Sequence, residues 1–272
     1  MKFKIGFTAE HGDCPQPAGA ASPSGPSASV RPSLVQVRFP DKNRTLAYYN
    51  DRFDLHVNDI VYVDGKLEGL RGRVTDVSYN FRIRLSDYHR VIAAADTNIH
   101  GQLWLAGSHL LCFDPSVIPY EKIALWFMPP GKEEDEFVSS YDDASFSLED
   151  LSGMKISSGA AERGHEYYCQ SRVCFICLEG TRGRAIVQGT HPYSLEFRYE
   201  NGQISRLTCS CYCSDTCKHE FAAMLQLRES LKIAGECYSE QFRDSGYMAV
   251  ILKDALIEYG TDFTKRGAVT LE

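Results

Sequence analysis

The sequence predicts an α+β protein: a small β-barrel-like domain in the N-terminal half, then a β-meander, a Cys/His-dense knuckle and C-terminal helices. Three observations predict it. Between Leu34 and Pro130, short runs of alternating apolar and polar residues are separated by Gly, Pro, Asn and Asp, the signature of strands and turns. Between Val173 and Cys209, longer strand-like runs follow one another with Glu179-Gly180 and Asn201-Gly202 as turns. After His219 the apolar residues Phe221, Ala222, Met224, Leu225 and Leu231 adopt helical spacing.

Bulk properties narrow the class. A chain of 272 residues has room for about two domains. No apolar run approaches the ~20 residues of a membrane span, so no membrane partner is expected. The stretch Met1–Glu10 is too short and too soon acidic for an export signal. Ten cysteines without such a signal predict a reducing cytoplasm and metal thiolates rather than disulfides. Net charge is −7, so no bulk basicity advertises nucleic acid. Charge is unevenly spread, however. Residues 31–90 carry eleven Lys/Arg against eight Asp/Glu, and residues 131–163 carry three against nine.

Taken in order, Phe3, Ile5 and Phe7 alternate with polar residues and predict a short strand. The Pro/Gly/Ser/Ala-rich run over 11–33 buries too little apolar surface to offset its ordering entropy, so residues 1–33 read as a strand plus a disordered tether holding Cys14. Residues 34–130 read as one β-rich domain, including V-Q-V-R-F, D-I-V-Y-V, V-I-A-A-A, Q-L-W-L-A and K-I-A-L-W-F-M. In Y-N-F-R-I-R-L, Tyr79, Phe81, Ile83 and Leu85 would share one strand face, with Asn80, Arg82 and Arg84 on the other. Trp104 and Trp126 are expected in the core. The acidic, serine-rich run after Pro130 predicts a linker over 131–159 that touches the surface through Phe137, Phe146 and Leu148. Residues 160–272 form the second domain: a helical or turn segment from Ala160 to Tyr168, the meander, the knuckle, and two helices of which the second spans Tyr247–Tyr259. Cys174 and Cys177 form a C-x-x-C, but within a strand positions three apart face opposite sides, so they read as core thiols.

The knuckle, Thr208 to His219, reads T-C-S-C-Y-C-S-D-T-C-K-H. Zinc takes four soft or borderline donors in a tetrahedron. A C-x-C on extended chain points both thiols to one face. With a following C-x-H it supplies that set as Cys209, Cys211, Cys217 and His219. Cys213 makes a second C-x-C, so Cys211 with Cys213 is an alternative pair.

C-x-C, a short spacer and C-K-H before the alanine-bearing run E-F-A-A-M-L-Q-L resemble the SWIM zinc finger, and R-G-H-E-Y-Y from Arg163 resembles its lead-in. The resemblance covers roughly residues 160–232. It implies Cys209 and Cys211 as the first pair, Cys213 as a spare thiol, one structural zinc, and a role in binding DNA or proteins. More weakly, Asn58–Val77, with Gly65, Gly69 and Gly72 at tight turns, resembles the KOW motif of small β-barrels.

Enzymatic chemistry is not expected. Three thiolates and an imidazole close the coordination sphere, whereas a hydrolytic zinc keeps a position open for water. H-E-F-A-A is not H-E-x-x-H, because Ala223 stands four after His219, and there is neither a P-loop nor G-x-S-x-G. No small-molecule substrate is indicated. Two readings of the partner remain open. One is a protein bound by the surface the zinc holds in place. The other is DNA or RNA, with Arg71, Arg73, Arg82 and Arg84 or the finger's Lys218 meeting phosphate and binding falling steeply with salt.

Overall fold

A computed structural model describes residues 2–6, 30–130, 144–211, 213–260 and 268–271. Most of the predicted tether with Cys14, residues 131–143 with Phe137, Tyr212, and residues 261–267 lie outside them. The described chain is α+β, with two antiparallel sheets and five α-helices. It divides into two compact units: Phe7–Thr97, and Met1–Gly6 together with Asn98–Glu272. Residues 98–130 therefore belong with the C-terminal unit and not with the strands before them.

The first of these units holds a five-stranded sheet of β2 (Ser33–Phe39), β3 (Arg44–Asn50), β4 (Ile60–Val63), β5 (Gly72–Ser78) and β6 (Val91–Ala95), ordered β3-β2-β5-β4-β6. Alternation in β2 puts Val35, Val37 and Phe39 into a core shared with Tyr48, Val61, Val63, Val74 and Val91. Gly65 and Gly69, at φ +84° and +79°, carry the wide turn from β4 to β5 in the left-handed region that glycine tolerates. No barrel closes among the described residues. A single parallel bridge, Tyr49 with Arg90, joins β3 to the residue before β6. The expected strand Tyr79–Leu85 is instead irregular, and a 3-10 turn follows at Leu85–Asp87. Alternation makes a strand only when a neighbour takes its hydrogen bonds and one face meets a core. Here Tyr79 and Leu85 stay 39% and 50% exposed.

The other unit is built on a ten-stranded sheet. Its strands are β1 (Lys2–Gly6), β7 (Gly101–Ala106), β8 (His109–Cys112), β9 (Ser145–Ser147), β10 (Val173–Glu179), β11 (Arg182–Gln188), β12 (Pro192–Glu200), β13 (Gln203–Cys209), β14 (Tyr247–Leu252) and β15 (Ala268–Leu271). They run in the order β15-β1-β7-β8-β14-β10-β11-β12-β13-β9. The predicted meander is β10 to β13, turned at Gly180 and at Asn201-Gly202. The helices are α1 (Tyr120–Phe127), α2 (Ser158–Cys169), α3 (Lys218–Cys237), α4 (Ser239–Ser245) and α5 (Lys253–Gly260).

Three expectations are corrected here. K-I-A-L-W-F-M is the helix α1, entered after Pro119, with Ile123 and Trp126 buried at a helical spacing of three. The predicted helix Tyr247–Tyr259 is the strand β14 followed by α5. Y-M-A-V-I-L lies between β8 and β10 and is buried on both faces, so its apolar run is continuous and carries no period. Residues 144–159 are no free linker: β9 pairs with β13, and Leu148, Leu151 and Met154 join the core.

That core lies between the sheet and α3, where Val173, Ile176 and Leu178 of β10 and Val187 of β11 meet Ala223, Met224 and Leu227. The opposite face carries α1 and α5. There Tyr120 meets Phe175 at a ring separation of 6.3 Å, and Trp126 stacks on Tyr259 at 5.2 Å. Trp104 is also core, tilted against Phe113.

Candidate metal centre

β13 delivers Cys209 to the site as its last residue, opposite Leu195 of β12. The next residue fixes the direction of the chain. Ser210 donates its backbone N–H to the Ser194 carbonyl at 2.9 Å, and its hydroxyl accepts the Ser194 N–H at 3.0 Å. With Ser210 clamped to β12, Cys209 and Cys211 stay on one side of an extended segment. Cys217 and His219 come from the start of α3, where Cys217 is the N-cap. Its Sγ accepts the Glu220 N–H at 3.5 Å, and its own N–H donates to Glu220 Oε2 at 2.6 Å, a reciprocal capping box. One residue thus ends a loop, starts a helix and offers a thiolate.

One donor atom from each of Cys209, Cys211, Cys217 and His219 lies within 4.8 Å of the others. Cys209 Sγ and Cys217 Sγ stand 3.8 and 3.7 Å from His219 Nδ1. A tetrahedron with bonds of about 2.3 Å to sulfur has edges of about 3.8 Å, so these separations leave room for one ion at the centre. Cys217 and His219 are 5% and 4% exposed. Burial, with the adjacent Lys218 charge, lowers His219 to about 4, so its imidazole is neutral with a lone pair to give. Burial raises Cys211 to about 12, and contact with Cys209 followed by burial raises Cys217 further. Cys211 and Cys217, held this way, resist ionising unless a cation supplies the compensating charge. The donor set fits a thiolate-preferring divalent metal.

The walls of the site were invisible as motifs. Tyr193 stacks on the His219 ring at 4.3 Å, and Tyr167 of α2 meets it edge-on at 5.5 Å while Lys218 Nζ sits 4.7 Å over the Tyr167 ring. His219 Nε2 is buried with no hydrogen-bond partner. Such an orphan costs about 1–3 kcal/mol, tolerable where Nδ1 gains a metal bond. Gly189 makes the stack fit, since a Cβ there would lie 2.7 Å from Tyr193 Cε2 and 3.0 Å from His219 Nε2. Gly189→Ala is therefore expected to displace the imidazole and weaken zinc affinity by about tenfold to a hundredfold, as losses around metal ligands do. Competition with a chromogenic chelator measures it, and unchanged affinity would show that the ring stack does not position the ligand.

Cys213 is exposed, with its Sγ 3.4 Å from Cys211 Sγ, and lies outside the four-donor group. Lys218 flanks the site as the first residue of α3. Arg71 and Arg73 lie before and within β5, and Arg82 and Arg84 are exposed on the irregular segment that follows it. None of these four arginines belongs to the unit that carries the metal cluster. Cys174 and Cys177 are buried in β10, where burial pushes their thiols up to about 11 and about 12. Brief alkylation of the native protein is accordingly expected to label the exposed Cys169, Cys213 and Cys237 well before Cys112, Cys174 and Cys177, read by peptide mass mapping.

Fold and site together define an α+β protein with two antiparallel sheets and a Cys3His cluster able to hold a metal ion. The chain matches no known protein family, no curated protein and no solved structure. No helix among the described residues is long and apolar enough to cross a membrane.

Proposed function

We propose that this is a non-enzymatic, zinc-stabilised interaction protein of the cytoplasm, in which a SWIM-type finger presents a surface to a protein partner. The observation that carries the reading is the convergence of Cys209, Cys211, Cys217 and His219 within 4.8 Å, because three thiolates and one imidazole complete a zinc sphere and leave no position for substrate water. The ion's work is then mechanical: it joins the end of β13 to the start of α3. A groove of about 490 Å³ lies beside that joint, lined by Phe146, Met154, Lys155, Arg206, Leu207 and Asp215. Apolar residues and both signs of charge together suit a polypeptide partner better than a phosphate backbone.

Metal content of the purified protein tests the zinc. One zinc per chain, lost in Cys209→Ser and Cys217→Ser but kept in Cys213→Ser, is expected; a folded, metal-free wild type ends the reading.

A second reading, direct binding of DNA or RNA, draws on the KOW-like run and on the exposed segment that holds Arg82 and Arg84 beside Tyr79. Polarisation assays with labelled DNA and RNA at graded salt separate the two. Binding that collapses between 50 and 200 mM salt, as phosphate contacts do, and that weakens in Arg82→Ala/Arg84→Ala would favour nucleic acid.

A further inference from the structure

We infer that Cys211 and Cys213 are a modification site: hydrogen peroxide joins them in a reversible disulfide that withdraws Cys211 from the metal-binding set. The inference rests on the zinc reading above and adds a control to it. The two Sγ atoms are 3.4 Å apart, and a disulfide needs about 2.05 Å, so closure asks for a shift of about 1.4 Å. The pair is also asymmetric. Cys213 is exposed and outside the four donors, while Cys211 is half-buried and one of them. Cys217, the most enclosed thiol of the cluster at 5% exposure, is shielded from solvent oxidant.

The chemistry balances with peroxide as the only oxidant. The Cys213 thiolate attacks one peroxide oxygen; the O–O bond breaks, hydroxide leaves and takes up a proton as water, and Cys213 becomes a sulfenic acid. The Cys211 thiolate then attacks the Cys213 sulfur, and the sulfenic oxygen leaves as a second water. Two thiols and one peroxide give one disulfide and two waters. Cys209, Cys217 and His219 remain as three donors, too few for a closed structural site. A dithiol reductant reverses the exchange and restores the fourth.

The experiment uses the full chain with Cys169→Ser and Cys237→Ser to silence the other exposed thiols among the described residues, and Cys14→Ser to remove the one thiol outside them, with and without Cys213→Ser. Protein freed of reductant is exposed to hydrogen peroxide. Released zinc is followed with a chromogenic chelator, and the peptide spanning residues 211 and 213 is mapped by mass. Expected are a mass loss of two hydrogens in that peptide, zinc release in step with it, rebinding after dithiothreitol, and release slowed by about tenfold or more in the Cys213→Ser variant. Equal release with and without Cys213, or a disulfide mapped to Cys209 or Cys217 instead, overturns the inference. Untreated protein without zinc would sink the zinc reading alone; the 211–213 peptide would still show whether the disulfide forms.

Discussion

Cys217→Ser is expected to lose zinc yet keep the start of α3 capped, while Cys217→Ala loses both. The thiol does two jobs, accepting the Glu220 N–H at 3.5 Å and standing 3.7 Å from His219 Nδ1 within the donor cluster. A serine hydroxyl is among the best N-caps but a poor replacement for a zinc thiolate, so it separates the two roles. Zinc content should fall from one to none in both variants. The alanine variant should be less stable than the serine variant by about 1 kcal/mol, the usual worth of an N-cap side chain. Structural zinc contributes up to about 10–16 kcal/mol to folding in small finger peptides. The ten-stranded sheet here has its own core, so the loss should be local, around Cys209 and the first turn of α3. Thermal melts of wild type with chelator should overlay those of Cys217→Ser, and hydrogen exchange should place the new opening at residues 209–222. Zinc retained in Cys217→Ser would remove Cys217 from the ligand set and return Cys213 to contention.

Trp126→Ala should have the opposite profile: a large loss of stability with metal content unchanged. Trp126 is fully buried on the face of the sheet opposite α3, stacked on Tyr259 at 5.2 Å and flanked by Ile123 in α1. Removing a buried indole strips its transfer free energy and leaves a cavity, together about 3–5 kcal/mol. The four candidate donors lie between the last residue of β13 and the first turn of α3, so the folded fraction should still bind one ion. Denaturant unfolding and metal analysis of the same sample check both halves. A small stability change would mean that α1 and α5 close over the gap.

How legible this protein is depends on how local each signal is. The four candidate metal donors fall between Cys209 and His219, and ligand chemistry constrains their spacing, so the cluster can be read without a fold. The meander β10–β13 is legible for a similar reason, since each turn carries its own Gly signal between adjacent strands. The helix α1 and the strand β14 are not local signals. I-A-L-W-F and Y-M-A-V-I-L are both short apolar runs, and only their neighbours in the sheet decide which becomes helix and which strand. Gly189, Tyr193 and Tyr167 escaped notice because they come to His219 from the β11–β12 turn, from β12 and from α2, with no spacing to betray them. The alternation of Tyr79–Leu85 was a true pattern without a partner strand.

The pairing of β1 with both β7 and β15 has a consequence for the order in which the chain can assemble. The residues from Phe7 to Thr97 form a unit inserted between the first strand and the rest of its sheet. During synthesis the inserted unit has all of its strands in hand by Ala95, while β1 has none of its neighbours. It gains one at Gly101 and the other only when Ala268–Leu271 emerges. The loop-closure entropy of that last pairing spans nearly the whole chain, so it belongs at the end of folding. A ribosome-bound chain stalled before Ala268 should show a finished inserted unit and a sheet that still lacks its outermost strand, β15.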